Sequence, residues 1–151
     1  MIEVKDDYTL GVAAGLIANT VRTIFALITC GLGYRNYFGW NLASSAVLPK
    51  EKTSEISALF IGGFTDYAIA GVLGVVTIYL LSYTGFRYYI LKGFSVGTIA
   101  WLLIYIPITQ SEISKITPSA ISANISFLIG HLLLGVVTAV VIVKYKAYFK
   151  N

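Results

Sequence analysis

One cysteine, one histidine and few charges set the first limits on this 151-residue chain. Cys30 alone makes no internal disulfide and no C-x-x-C pair. That excludes the four-helix membrane oxidoreductases, which pass electrons through paired thiols. His131 has no second histidine or cysteine to complete a metal site, and no cofactor is expected. Charged residues make up 12% of the chain, where a soluble domain carries about 25%. The net charge of +4 is spread over several loops and the tail, without a basic stripe or an RNA-binding motif. A nucleic-acid partner is therefore not indicated. Also missing are a Gly-rich phosphate loop, an HExxH sequence and a nucleophile elbow. The N-terminus lacks the positive region of a cleavable signal, with Glu3, Asp6 and Asp7 set against Lys5, so the first apolar stretch is expected to be a retained helix.

What the chain has in quantity is long apolar runs. Hydrophobic residues account for 57% and the mean hydropathy is +0.79. A helix needs about 20 mostly apolar residues to cross the hydrocarbon core. Four stretches qualify, at about 9–33, 57–83, 90–109 and 120–143. The expected fold is all-α, an integral membrane bundle of four transmembrane helices forming a single transmembrane domain over 1–151. An aromatic segment with Tyr34, Arg35, Tyr37, Phe38 and Trp40 follows the first span at headgroup level. Trp40 to Leu48 reads as a short interfacial helix ended by Pro49, and Lys50 to Glu55 as a charged loop. Pro107 is expected to kink or end the third span, because proline supplies no backbone donor. A polar loop from Gln110 to Ser119 leads into the fourth.

Orientation follows the lysines and arginines near the helix ends. Lys5, Arg87, Lys92, Lys144, Lys146 and Lys150 fall on one side, and Arg35, Lys50, Lys52 and Lys115 on the other. The bias puts both termini in the cytoplasm.

Inside the spans lies a polar seam. Gly11, Gly15, Asn19 and Arg22 share one face of the first span, at steps of four, four and three. Gly62, Asp66, Ala70 and Gly74 share a face of the second, and Gly93, Gly97, Trp101 and Tyr105 a face of the third. Asn124, Phe127, His131, Gly135 and Thr138 do so in the fourth. Small residues let helices approach closely in lipid, so Gly11, Gly15, Gly62, Gly74, Gly93, Gly97 and Gly135 are assigned to helix packing. Arg22 and Asp66 are costlier, at about 2.5–3.5 kcal/mol each at mid-helix on insertion scales. Their depths differ by about 7 Å, from five residues at 1.5 Å rise, which an arginine spans. The expectation is a buried Arg22–Asp66 ion pair with His131 and Asn19 as hydrogen-bonding neighbours.

Several of these features resemble the small, uncharacterised four-span membrane proteins of spore-forming Gram-positive bacteria. They are Gly11-Val-Ala-Ala-Gly15 followed by Arg22, the aromatic loop before Gly62-Gly63-Phe64, and Lys92-Gly93 with a central Trp101. The resemblance implies a bacterial plasma membrane and no assigned chemistry.

Three functions compete. The first is a non-enzymatic scaffold or small subunit working through helix packing, with membrane lipids, copies of itself or a larger membrane complex as partners. The second is a small oligomeric transporter or channel for protons, ions or a polar solute, using Arg22, Asp66 and His131. Small multidrug exporters have a similar span count but carry their carboxylate in the first span, where this chain has Arg22. The third is an intramembrane enzyme with Asp66 and His131 as acid and base. It lacks a second acid, a metal set or an activated nucleophile.

Overall fold

A computed structural model describes residues 6–46, 48–53, 55–110 and 120–148. The described residues form helices and no strands. The elements are α1 (Asp7–Gly31), α2 (Gly39–Ser45), α3 (Ile56–Thr84), α4 (Tyr89–Ala100), α5 (Ile106–Gln110) and α6 (Ile121–Tyr148). A π-helical turn, Trp101–Tyr105, joins α4 and α5 into one continuous span. Four helices are long and apolar enough to cross a membrane: Asp7–Gly31, Ile56–Thr84, Tyr89–Thr109 and Ile121–Lys146. They agree with the sequence-based spans to within a few residues. The expected polar loop lies outside the described residues over 111–119, as do Lys5, Lys115 and Lys150.

Local chemistry sets the helix ends. The Asp6 carboxylate caps α1, accepting from the backbone N–H of Tyr8 at 3.0 Å and of Thr9 at 3.2 Å, and from the Thr9 hydroxyl at 2.9 Å. These bonds satisfy donors that a helix start leaves open. The α3–α4 turn needs two left-handed residues, Gly85 at φ 85° and Tyr88 at φ 58°. Across it, the Lys92 ammonium donates to the carbonyls of Thr84 at 3.1 Å and Gly85 at 2.6 Å. A cation thereby meets the negative end of α3.

The bundle is two helical hairpins laid side by side. α1 packs most extensively on α3 and α4 on α6, and the hairpins meet mainly where α1 touches α6. Both hairpins close by the same device. A Cβ added at Gly15 would land on the Ala70 carbonyl, and one at Gly74 on the Gly11 carbonyl. In the other hairpin, a Cβ at Gly97 would land on the His131 carbonyl and one at Gly135 on the Gly93 carbonyl. The backbones touch, so no side chain fits between them. Gly11 and Gly93 each occupy the fifth position of their helix, and the two contacts lie in similar register. Between the hairpins a core of Leu10, Ala14, Ile78, Leu81, Ala139 and Ile142 is buried.

Gly62 departs from the expected span-to-span packing. Its missing Cβ accommodates the Trp40 carbonyl, and the Trp40 ring lies against Gly63. The segment expected to lie at the interface as a helix is thus shorter, and it is tucked against α3 with Leu42, Ser44 and Ser45 buried. Pro107 acts upstream of its own position. It cannot donate to Leu103, and its ring would clash with that carbonyl in α geometry. The preceding turn widens instead, and Ile106 N–H bonds to the Trp101 carbonyl. The widening leaves Tyr105 buried in the bundle.

At the end of the bundle carrying both described termini, Lys146 binds Asp7 through both carboxylate oxygens, at 3.0 and 2.8 Å, and the Ser82 hydroxyl at 3.1 Å. This ties α1, α3 and α6 together.

Two outcomes follow. Gly15→Leu or Gly135→Leu would separate backbones in contact and lower stability by about 2 kcal/mol or more, whereas Gly31→Ala, with open space around it, would change little; thermal melting in detergent checks both. The hydrogen bonds from Tyr8 and Thr9 hold the Asp6 carboxyl below its usual pKa. Its cap therefore contributes fully above the unfolded carboxyl pKa and is lost as pH falls through the lower folded value. The melting-temperature gap between wild type and Asp6→Ala should be open at neutral pH and close below about pH 4.

Candidate functional site

The polar seam of α1 and α3 closes where the two helices cross above their glycine contact. Arg22 and Asp66 form an ion pair through Arg22 Nη2 and Asp66 Oδ1. The Asn19 amide donates to the other carboxylate oxygen at 3.0 Å. Arg22 and Asp66 side chains are 16% and 14% exposed, and Asn19 is fully buried. Asn19 and Arg22, three apart on one helix face, thus occupy one oxygen each of the carboxylate.

His131 does not join this cluster. Its Nδ1 lies 2.8 Å from the Phe127 carbonyl on its own helix, and no hydrogen bond links it to Arg22, Asp66 or Asn19. The expected neighbour relation is corrected in that respect. A histidine in an apolar helix can satisfy a ring nitrogen on the carbonyl four residues back, and α6 uses that solution. His131 still borders the same interior space as Arg22 and Asp66.

That space is a chamber of about 30 Å³, bordered by Arg22, Asp66, His131, Phe127, Trp40 and Arg35. Arg35 was read in the sequence as a headgroup-level loop residue. It is buried instead, 6% exposed, with its guanidinium 4.6 Å above the Phe127 ring. Gly33, at φ 76°, turns the chain after α1, and Tyr34 N–H bonds back to the Thr29 carbonyl at 3.0 Å. The loop folds inward over the end of the bundle. Burial lowers the Arg35 pKa, working against its charged form. Among the described residues no carboxylate pairs with Arg35, and its Nε has no hydrogen-bond partner. The indole N–H of Trp40 is likewise buried without a partner. The available hint was the run of aromatics around Arg35, too apolar for a loop standing in water.

A second cavity, of about 200 Å³, shares Arg35 and Phe127 with the chamber. Its lining includes the exposed residues Tyr34 and Asn36 of the loop after α1 and Ser122 of α6.

No protein-family model, curated protein or solved structure matches this chain. Residue roles therefore rest on geometry and charge alone.

Tyr105 backs Phe127, which borders the chamber. Its hydroxyl donates to Asn124 Oδ1 at 2.9 Å, and its ring stacks on Phe127 with centroids 4.9 Å apart and on Trp101 at 6.1 Å. The cation face of Arg35 and the stack of Tyr105 thus grip one phenylalanine. Asp66 and His131 come to one cavity without hydrogen-bonding, and no activated nucleophile stands beside them among the described residues. The arrangement offers charge recognition more readily than bond chemistry.

Tyr105→Phe removes one hydrogen bond while keeping the stack. It should lower stability by about 1 kcal/mol, read as a small shift of the thermal melt, with unchanged helix content by circular dichroism.

Proposed function

We propose that this chain is a non-enzymatic membrane protein that works through helix packing, as a scaffold or small subunit, seated with both termini in the cytoplasm. The observation that carries this reading is the Arg22–Asp66–Asn19 cluster. One cation, one acid and one amide engage each other across α1 and α3, so the charges inside this hairpin serve as a lock. The Asp7–Lys146–Ser82 tie repeats the logic at the termini end. The glycine contacts support the same reading, since they spend the small-residue faces on joining helices. The orientation rests on the lysine and arginine bias, and the assignment to a bacterial plasma membrane on the sequence resemblance.

A second reading, a small oligomeric transporter or channel for ions or a polar solute, is favoured by one observation. Arg35, without a carboxylate partner among the described residues, borders both the chamber that reaches Arg22 and Asp66 and the larger cavity. A lock between helices does not require that arginine.

A double-mutant cycle separates the two. Asp66→Leu leaves the largely buried Arg22 without its partner and should cost about 3 kcal/mol, while adding Arg22→Met to Asp66→Leu should recover most of that loss. Yield and thermal stability in detergent give the readout. Recovery in the double variant supports the lock. If Asp66→Asn folds as well as wild type and abolishes solute flux in vesicles, the transport reading replaces it.

A further inference from the structure

The chamber's charge does not balance. Arg22 and Asp66 cancel, and His131 is the remaining titratable group on its wall apart from Arg35. Arg35 contributes a positive charge that nothing among the described residues neutralises. A buried, uncompensated ion is expensive, and the usual remedies are a carboxylate partner or an exit to water. Arg35 has no such partner, and it is 94% buried by the 6% exposure of its surface. Stacking on Phe127 offsets part of the penalty but leaves the Nε–H unused. The Trp40 indole N–H is also unused, and buried polar groups left without partners call for explanation. Two unused donors on residues that border the chamber, with a positive charge lacking a carboxylate, describe an acceptor that the described residues do not supply.

We propose that the chamber between Arg35, Trp40 and Arg22 binds a single monovalent halide ion, chloride being the ordinary occupant. Size selects this class. About 30 Å³ holds one or two water-sized particles, enough for a monatomic anion and too little for phosphate or sulfate with their four oxygens. Charge selects the sign: two arginines against one aspartate. The ligands are donors only, Arg35 Nε–H and Trp40 Nε1–H, both without acceptors among the described residues. Phe127 borders the chamber and carries the Arg35 guanidinium on its face, which holds that side chain at the site. The two proposed ligands, Arg35 and Trp40, take no part in the Arg22–Asp66–Asn19 bonds, although Arg22 and Asp66 border the same chamber.

The chain has two tryptophans, and Trp101 is not part of the chamber wall. Trp101→Phe therefore leaves Trp40 as the sole indole reporter at the site. Bromide, a heavy-atom quencher, is titrated into this protein in detergent, with gluconate holding the ionic strength constant. The expected result is a saturable quenching component, relieved by chloride and untouched by phosphate or sulfate. Arg35→Gln in the same background should weaken that component by about tenfold or more, as expected for losing a hydrogen bond from a charged donor. Arg35→Lys, which keeps the charge and loses the Nε donor, should fall between. Wild type with both tryptophans should melt at a higher temperature in chloride than in gluconate, since a ligand of the folded state stabilises it. Strictly linear quenching in the Trp101→Phe protein overturns the site. So does a saturable component that phosphate relieves equally or that survives Arg35→Gln unchanged, and so does equal melting in the two salts. A failure of the Arg22–Asp66 cycle to show coupling would count against the lock while leaving these titrations unaffected.

Discussion

Two helices immersed in hydrocarbon gain nothing from hiding apolar side chains, because lipid tails are as apolar as leucine. They associate where their backbones approach closely enough for dense dispersion contact and where polar groups find each other. This bundle meets that constraint twice in one way. Gly15 and Gly74 bring α1 and α3 into backbone contact, and Gly93, Gly97 and Gly135 do so for α4 and α6. The lock between α1 and α3 is placed by the first of these contacts. Asn19 and Arg22 sit one and two turns beyond Gly15, so the crossing that seats the glycines also carries both side chains to Asp66.

Close packing at one end of each hairpin leaves space at the other. Beyond the glycine contacts α2 fills the gap on α3, seated through Gly62 and Gly63, and the widened turn before Pro107 fills the α6 side with Tyr105. The two fillers meet in a buried cluster of Leu42, Tyr105 and Phe127, and the chamber lies next to that cluster, bordered by Phe127 and Trp40. Its polar wall is a product of chain reversal after α1, which folds Arg35 inward over Phe127. The lock at Arg22–Asp66 and the unpaired Arg35 are thus neighbours in space with different origins, one from helix periodicity and the other from a loop.

Periodicity explains why much of the lock was legible in the sequence. Residues at steps of three and four share a helix face whatever the tertiary context, and an arginine and an aspartate inside spans must find partners in lipid. The same reasoning placed His131 on the right face and misjudged its bonding. A face assignment does not say whether a ring nitrogen turns toward a neighbouring helix or toward the carbonyl one turn back. Gly62 illustrates the same limit, since its small-residue stripe is shared between two partners, α1 for Gly74 and α2 for Gly62.

Composition and hydropathy by themselves determined that the chain is helical, how many spans it has and nearly where they end, because the bilayer demands a minimum apolar length and intrasegment backbone bonding. They also determined which helix faces carry glycine and charge. Only the tertiary structure decided that Arg35 is buried, that Trp40 docks on α3, and that Lys146 closes on Asp7. Those contacts join residues far apart in the chain through loop geometry, and loop geometry depends on single left-handed turns such as Gly33 that carry no periodic pattern to read.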